Sequence, residues 1–336
     1  MTTLIGPGAA AGRGFRGRIR ALRRRMVAAS AGAIEPGNAA ARPYSARMDR
    51  RAFLAAGAAG LAAAASPLLA ARPVGLEGDS ASPPSAGRLK QSVCRWCFGG
   101  MPLPALCEMA KAQGIAGIDL LSEGEWEAPA RFGMVCTCAN GPSSIAHGFN
   151  NPEHHGRFET ESERLLPLVA AAGIPNMIVF SGNRFGRSDA EGLRHCAAGL
   201  RRLMPIAESV GVTVLMETLN SRVDHADHMC DRTEWGAALV EEVGSDRFRL
   251  LYDVYHMQIM EGDVIRTIRR HAKAIGHYHT AGNPGRRDLD AAQELNYAAI
   301  ARAIADSGFQ GWLAHEFVPK GDPAAALRQA VEVCTV

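Results

Sequence analysis

Four apolar runs in this chain end in residues able to hold a cation. LYDVYHMQIMEGD (251–263) closes its apolar stretch at Asp253, with His256 three residues on, and HYHTAGNPGR (277–286) carries His279. VTVLMETLN (212–220) closes at Glu217 and WLAHEF (312–317) at Glu316. Ionisable side chains at the ends of buried strands are costly unless something uses them. Three carboxylates and one imidazole suit a divalent cation: Mn²⁺ or Mg²⁺ foremost, Co²⁺ or Zn²⁺ as alternatives. Mutual repulsion of three carboxylates also demands a cation, or a proton on one of them. Glu217, Asp253, His279 and Glu316 therefore read as the ligands of a single metal ion.

These residues need a frame that brings distant strand ends together. Apolar runs at 92–98, 115–121, 132–138, 176–182, 212–218, 248–254, 275–281 and 311–317 read as eight strands. Helical patterns lie between them at 103–114, 157–172, 188–209, 231–243, 261–275, 295–308 and 322–334, and the segment after the second strand is too short for a defined helix. Gly114, Gly173, Gly211, Gly244 and Gly308 sit where helices should end. Asp231 and Asp322 are placed to cap helix N-termini. Alternating strands and helices with short turns predict an α/β fold, a (β/α)8 TIM barrel, whose reactive groups gather at the C-terminal strand ends. An open doubly wound sheet is the alternative, but CFGGMPLPAL after the first strand is a poor phosphate loop.

The first 90 residues differ from the rest. Residues 1–47 form a low-complexity extension rich in Gly, Ala, Pro and Arg, and Met48 is a candidate true start. Residues 48–71, MDRRAFLAAGAAGLAAAASPLLAA, resemble a twin-arginine export signal built on Arg50 and Arg51. The stretch is marginal for a membrane span and is interrupted by Pro67. Residues 72–90 read as a disordered Pro/Ser/Gly linker and 91–336 as the catalytic barrel. The expected location is the periplasm, or the cytoplasm if the signal is not used, with membrane contact only through that signal.

Eleven arginines against Glu35 and Asp49 make residues 1–51 +9; the whole chain is +3, which leaves −6 for residues 52–336. A mildly acidic body argues against a nucleic-acid partner. The eight cysteines all lie in that body and read chiefly as small buried hydrophobes. Cys94 and Cys97 would point to opposite faces of the first strand, and Cys136 and Cys138 to one face of the third.

On YDVYHMQIMEGD (252–263), AGNPGR (281–286), ELNY (294–297) and GFQGWLAHEF (308–317), the body resembles the hydroxypyruvate isomerase branch of the xylose isomerase-like barrel family, over roughly residues 92–333. The resemblance implies that Glu217, Asp253, His279 and Glu316 hold the metal, that His256 helps bind substrate, and that Arg286 contacts its anionic or hydroxyl end. It also implies metal-assisted isomerisation of hydroxypyruvate to tartronate semialdehyde through an enediolate, with Glu217 and Glu316 as the proton-transferring residues. A small hydroxy-carbonyl or sugar is the implied substrate, and a homodimer is the implied assembly. Asp119 stands where the family commonly has Glu on the second strand, and Gln293 where Gly-Glu is more common. His279 stands where many members of this branch have Gln, a feature shared with the ketose 3-epimerases of the family. An epimerase or an inosose isomerase or dehydratase is therefore one alternative, and a non-catalytic exported sugar-binding barrel another. A metal-dependent endonuclease would need more His and Asp ligands and a basic groove.

Other residues have subordinate expectations. His277 should lie one layer below His279, packed and hydrogen-bonded. His315 should face the outer helices. The pairs His225/His228 and His154/His155 lie in loops that would cover the substrate. Asn220 and Glu261 are expected to support the ligands, and Trp96 to wall the site or to join the core.

Overall fold

The computed structural model describes residues 87–336. The extension 1–47, the twin-arginine stretch 48–71 and the linker as far as residue 86 lie outside the described residues. Eight parallel strands close a barrel in chain order: β1 (Lys90–Cys94), β2 (Gly117–Leu121), β3 (Val135–Asn140), β4 (Asn176–Val179), β5 (Thr213–Glu217), β6 (Phe248–Asp253), β7 (Ile275–Thr280) and β8 (Trp312–His315). Pairing of Lys90 with Trp312 closes the ring, and Leu89 is already buried in the core. The barrel thus takes in the last residues of the stretch read as linker.

Outside the strands run α1 (Leu103–Ala112), α2 (His155–Ala171), α3 (Asp189–Val210), α4 (Thr233–Val243), α5 (Val254–Met260), α6 (Val264–His271), α7 (Tyr297–Asp306) and α8 (Pro323–Cys334). Only two short 3₁₀ turns, Glu123–Glu125 and Pro129–Phe132, follow β2. Among the described residues, no helix is long and apolar enough to cross a membrane. α3 and α4 both end at a left-handed glycine, Gly211 (φ 76°) and Gly244 (φ 73°), whose backbone N–H bonds back into the last turn. Such a φ is strained for any side chain with a Cβ.

The core has two compartments. Cys138, Ile178, Leu215 and Leu251 fill the inside of the barrel beneath its mouth, and a larger shell packs between strands and helices. Period-2 alternation feeds both: on β5, Val214 and Met216 join the shell while Leu215 turns inward.

Several local expectations are corrected. β1 stops at Cys94, and Arg95–Phe98 forms a 3₁₀ turn, so Cys94 and Cys97 are not alternate residues of one strand. Cys136 lies in the outer shell and Cys138 in the inner cluster, because the register of β2 and β3 shifts between their partners Ile118 and Asp119. All eight cysteines are free thiols. Asp322 caps α8, accepting from Ala324 N. Asp231 does not cap α4; it binds Arg184 Nη2 at 3.0 Å and Ser221 Oγ at 2.6 Å. Glu261 takes the capping task, accepting from Thr233 N at 2.7 Å, and so belongs to the helix layer rather than to the mouth. The helix read from Glu261 onward is two helices, α5 and α6. α5 begins directly after Asp253, whose carboxylate accepts from His256 N at 3.1 Å and caps it.

Candidate active site

Glu217 and Asp253 are the last residues of β5 and β6, His279 lies near the end of β7, and Glu316 follows β8 by one residue. Strand register makes them meet. Glu217 pairs with Leu251, two residues before Asp253; Asp253 pairs with His279; His279 pairs with Ala314, two residues before Glu316. Steps of two preserve the inward phase, so all four side chains point into the mouth. One ligand-type atom from each lies within 4.8 Å of the others, and all four residues are buried. His279 Nδ1 is 3.2 Å from Glu217 Oε1 and 2.7 Å from Glu316 Oε2.

Arg286 enters from the loop after β7. Its Nη2 donates to Asp253 Oδ2 at 2.9 Å and to Glu316, and its Nε donates to the Glu316 carbonyl at 3.2 Å. The loop is held where Arg286 can reach: Gly282 N donates to Arg287 O at 2.7 Å, and Tyr297 Oη donates to Ala281 O at 2.7 Å. Gly282 is required, since a Cβ there would sit 2.2 Å from Asp288 O. His256 Nε2 faces Arg286 Nη1 at 2.5 Å, and its Nδ1 faces Asn220 Nδ2 at 2.6 Å. Asn220 also donates to Asp224, which accepts from Tyr255 Oη at 2.9 Å.

Trp96 is 48% exposed and stands over the site; its indole N–H donates to Glu316 Oε1 at 2.6 Å, and Arg286 lies 5.5 Å from the ring centre. Beside the ionisable groups opens a cavity of about 460 Å³. Glu217, Glu316, His256 and Arg286 form one side of it, and Leu120, Ile145, Ile178, Phe180 and Leu219 the other. A larger cavity of about 880 Å³, lined by Arg249, Arg269 and Lys273 among others, lies outside the barrel and away from this constellation.

The charges at the mouth are unequal. Burial pushes Glu217 up to about 7 despite the hydrogen bond to His279, and it pushes Asp253 up to about 6 despite Arg286. Burial would raise Glu316 too, but Arg286 and His279 hold it well below the usual carboxylate range. Burial, with Arg286 alongside, pushes His256 well below its ordinary value and keeps it neutral. The donor set fits a divalent cation: hard oxygen atoms and one imidazole nitrogen converge in a buried cluster of three carboxylates. Glu217, Asp253, His279 and Glu316 are the residues that would hold it.

The remaining expectations divide. His315 faces outward, with Gln91 Oε1 at 2.8 Å from Nε2 and Thr280 Oγ1 at 2.9 Å from Nδ1. His225 lines the cavity, whereas His228 is buried against Ser181 Oγ and the Ile145 carbonyl. His155 is no lid: it is buried with Nε2 2.8 Å from Phe149 O, and His154 belongs to the turn before α2. His277 lies deep in the barrel, with Asp119 as its polar neighbour. Sequence reasoning missed Asp119, Asp224 and Tyr255 as members of the site. Asp119 carried a signal, since a carboxylate interrupts the apolar run 115–121.

The pattern of the family described as xylose isomerase-like TIM barrel matches residues 110–335. The 2-oxo-tetronate isomerase of Cupriavidus necator is 36% identical over 179 residues, 52% of this chain and 67% of that protein. The hydroxypyruvate isomerase of Escherichia coli is 30% identical over 149 residues, 44% of this chain and 54% of that protein. Among solved structures, the 3-keto-D-glucoside 4-epimerase of Escherichia coli shares the fold with a TM-score of 0.63 at 21% identity, over 74% of this chain and all of that one. The chain belongs to the xylose isomerase-like TIM barrel family and is an enzyme of its isomerase kind.

Proposed function

We propose that this protein interconverts hydroxypyruvate and tartronate semialdehyde by proton transfer between adjacent carbons. The observation that carries the reading is the convergence of Glu217, Asp253, His279 and Glu316 within 4.8 Å, beside a cavity that Glu217 and Glu316 both line. The names of the two isomerase relatives support it. A divalent cation held by those four residues would polarise the substrate's carbonyl and hydroxyl oxygens and offset the charge that develops on them.

The chain's own groups do the rest. Arg286 and His256, which line the cavity, orient the carboxylate and a neighbouring oxygen of the substrate. Glu217 takes the proton from the hydroxymethyl carbon. Burial raises the proton affinity of its carboxyl, which suits a group that must both accept and return a proton. The proton goes back to the adjacent carbon from Glu217 or from Glu316, and a hydroxyl proton moves between the two oxygens. Substrate and product are isomers, so no oxidant or reductant is required. Trp96 limits water over Glu316.

A ketose 3-epimerase is the second reading, favoured by His279 at the position where many members of the hydroxypyruvate isomerase branch carry Gln. Proton NMR of hydroxypyruvate in D₂O, with the protein and with or without added Mn²⁺ or Mg²⁺, tests both. Metal-stimulated tartronate semialdehyde carrying solvent deuterium is the expected result. Absence of conversion and exchange, with exchange in a ketose instead, transfers the assignment to the epimerase reading. The twin-arginine pattern at 48–71 supports extending the proposal to the periplasm. Recovery of the full-length chain only from cytoplasmic fractions would reverse that.

A further inference from the structure

His279 has a second face. While Nδ1 turns to Glu217 and Glu316, Nε2 lies 2.9 Å from Asp119 Oδ2. β2 and β7 are separated in the barrel by β1 and β8, so this contact crosses the interior. Asp119 is fully buried and well anchored. Its Oδ1 accepts from Thr137 Oγ1, and Oδ2 has His277 Nε2 at 3.2 Å and Cys94 Sγ at 3.8 Å. A carboxylate only accepts hydrogen bonds. With a cation on the Nδ1 side the ring would be neutral, and Asp119, which can only accept, would hold its remaining proton on Nε2.

The local backbone shows that this placement is built in. Ile118 and Leu121 pack into the outer shell, yet Asp119 and Leu120 both turn inward. Two consecutive inward side chains break the alternation of a strand. The break coincides with left-handed backbone at Leu120 (φ 57°) and with register shifts on either side of Asp119. A leucine in that region is uncommon, and strand irregularities often serve to re-aim a side chain.

We propose that Asp119 is a positioning residue, which fixes the tautomer and ring angle of His279 so that Nδ1 is the metal-binding atom. The inference rests on the metal site of the preceding section. Partners of this kind, one layer behind a metal-binding histidine, typically contribute 10–100-fold to metal affinity.

Two measurements test it. Ring ¹⁵N NMR of the wild-type protein loaded with Zn²⁺, with His279 assigned through His279→Gln, should show a metal-bound Nδ1 and a protonated Nε2. Mn²⁺ titration of Asp119→Asn should give a Kd roughly 10–100-fold weaker than wild type, with the metal-free melting temperature near that of wild type. Metal on Nε2, an unprotonated Nε2, or wild-type Mn²⁺ affinity in Asp119→Asn would each overturn the proposal and leave the metal site standing. Two ions per chain would also overturn it, by making Asp119 a ligand in its own right. Failure of the wild-type protein to bind either ion would overturn the metal site and this inference together. The NMR arm needs no change at Asp119, so it decides the matter even if Asp119→Asn does not fold.

Discussion

The two halves of the barrel mouth differ in chemistry. Strands β5 to β8 end in Glu217, Asp253, His279 and Glu316, with Arg286 and His256 folded in behind them. Strands β1 to β4 and their loops present Trp96, Leu120, Ile145, Ile178 and Phe180 to the same cavity. One half concentrates charge and proton affinity. The other supplies shape and a low-polarity wall, which strengthens electrostatic interactions on the charged side by keeping water away. The difference implies that changes on the charged half act on turnover, and changes on the apolar half on substrate fit.

That division can be broken by experiment. Glu217→Gln and Glu316→Gln should each retain the fold and lower kcat by about 10²–10⁴-fold. Near-native isomerisation by either variant, followed by NMR, removes that residue from the chemistry. A smaller effect is expected from acid. Metal ligands must be deprotonated to bind. Burial lifts Glu217 to about 7 and Asp253 to about 6, so protons compete with the cation as pH falls through that window. Calorimetric Mn²⁺ affinity should weaken by roughly tenfold between pH 8 and pH 6; an unchanged Kd would mean that these carboxylates do not bind the ion.

Trp96 joins the two halves, since its apolar ring carries an N–H that donates to Glu316. Trp96→Phe keeps the wall and deletes a hydrogen bond to a charged group. It should lower kcat by about tenfold, the lower end of what losing a hydrogen bond to a charged group (about 1.5–3 kcal/mol) implies. An effect confined to KM would place Trp96 with the apolar half alone. Phe180→Ala should have the smallest effect on the reaction: a several-fold rise in KM with kcat nearly unchanged, the signature of lost uniform binding. A fall in kcat equal to that of Glu217→Gln would erase the contrast between the halves.

The fold was largely legible. All eight strands were read within a few residues of their observed bounds, because each is an apolar run bounded by turn signals and because the helices end at glycines such as Gly211 and Gly244. The candidate ligands were legible for the same reason: Glu217, Asp253 and Glu316 interrupt apolar runs where a buried carboxylate needs a purpose. Local errors came where the backbone departs from regular alternation. Cys136 and Cys138 were assigned one face, and the register shift between Ile118 and Asp119 puts them on two. Glu261 and His155 look like polar residues near the site in sequence, and the helix layer claims both.

Where alternation is regular, as on β5, the sequence by itself determined which residues point inward, since a period of two is a local property of a strand. It also determined the charge of the body and the family to which the barrel belongs. Tertiary structure alone decided which inward residues meet. Barrel closure and strand register bring Glu217, Asp253, His279 and Glu316 within one ion's reach, and a left-handed Leu120 aims Asp119 across the interior at the far side of His279. Those contacts join positions up to 160 residues apart, and no local periodicity encodes the distance between two strand ends on opposite sides of a ring.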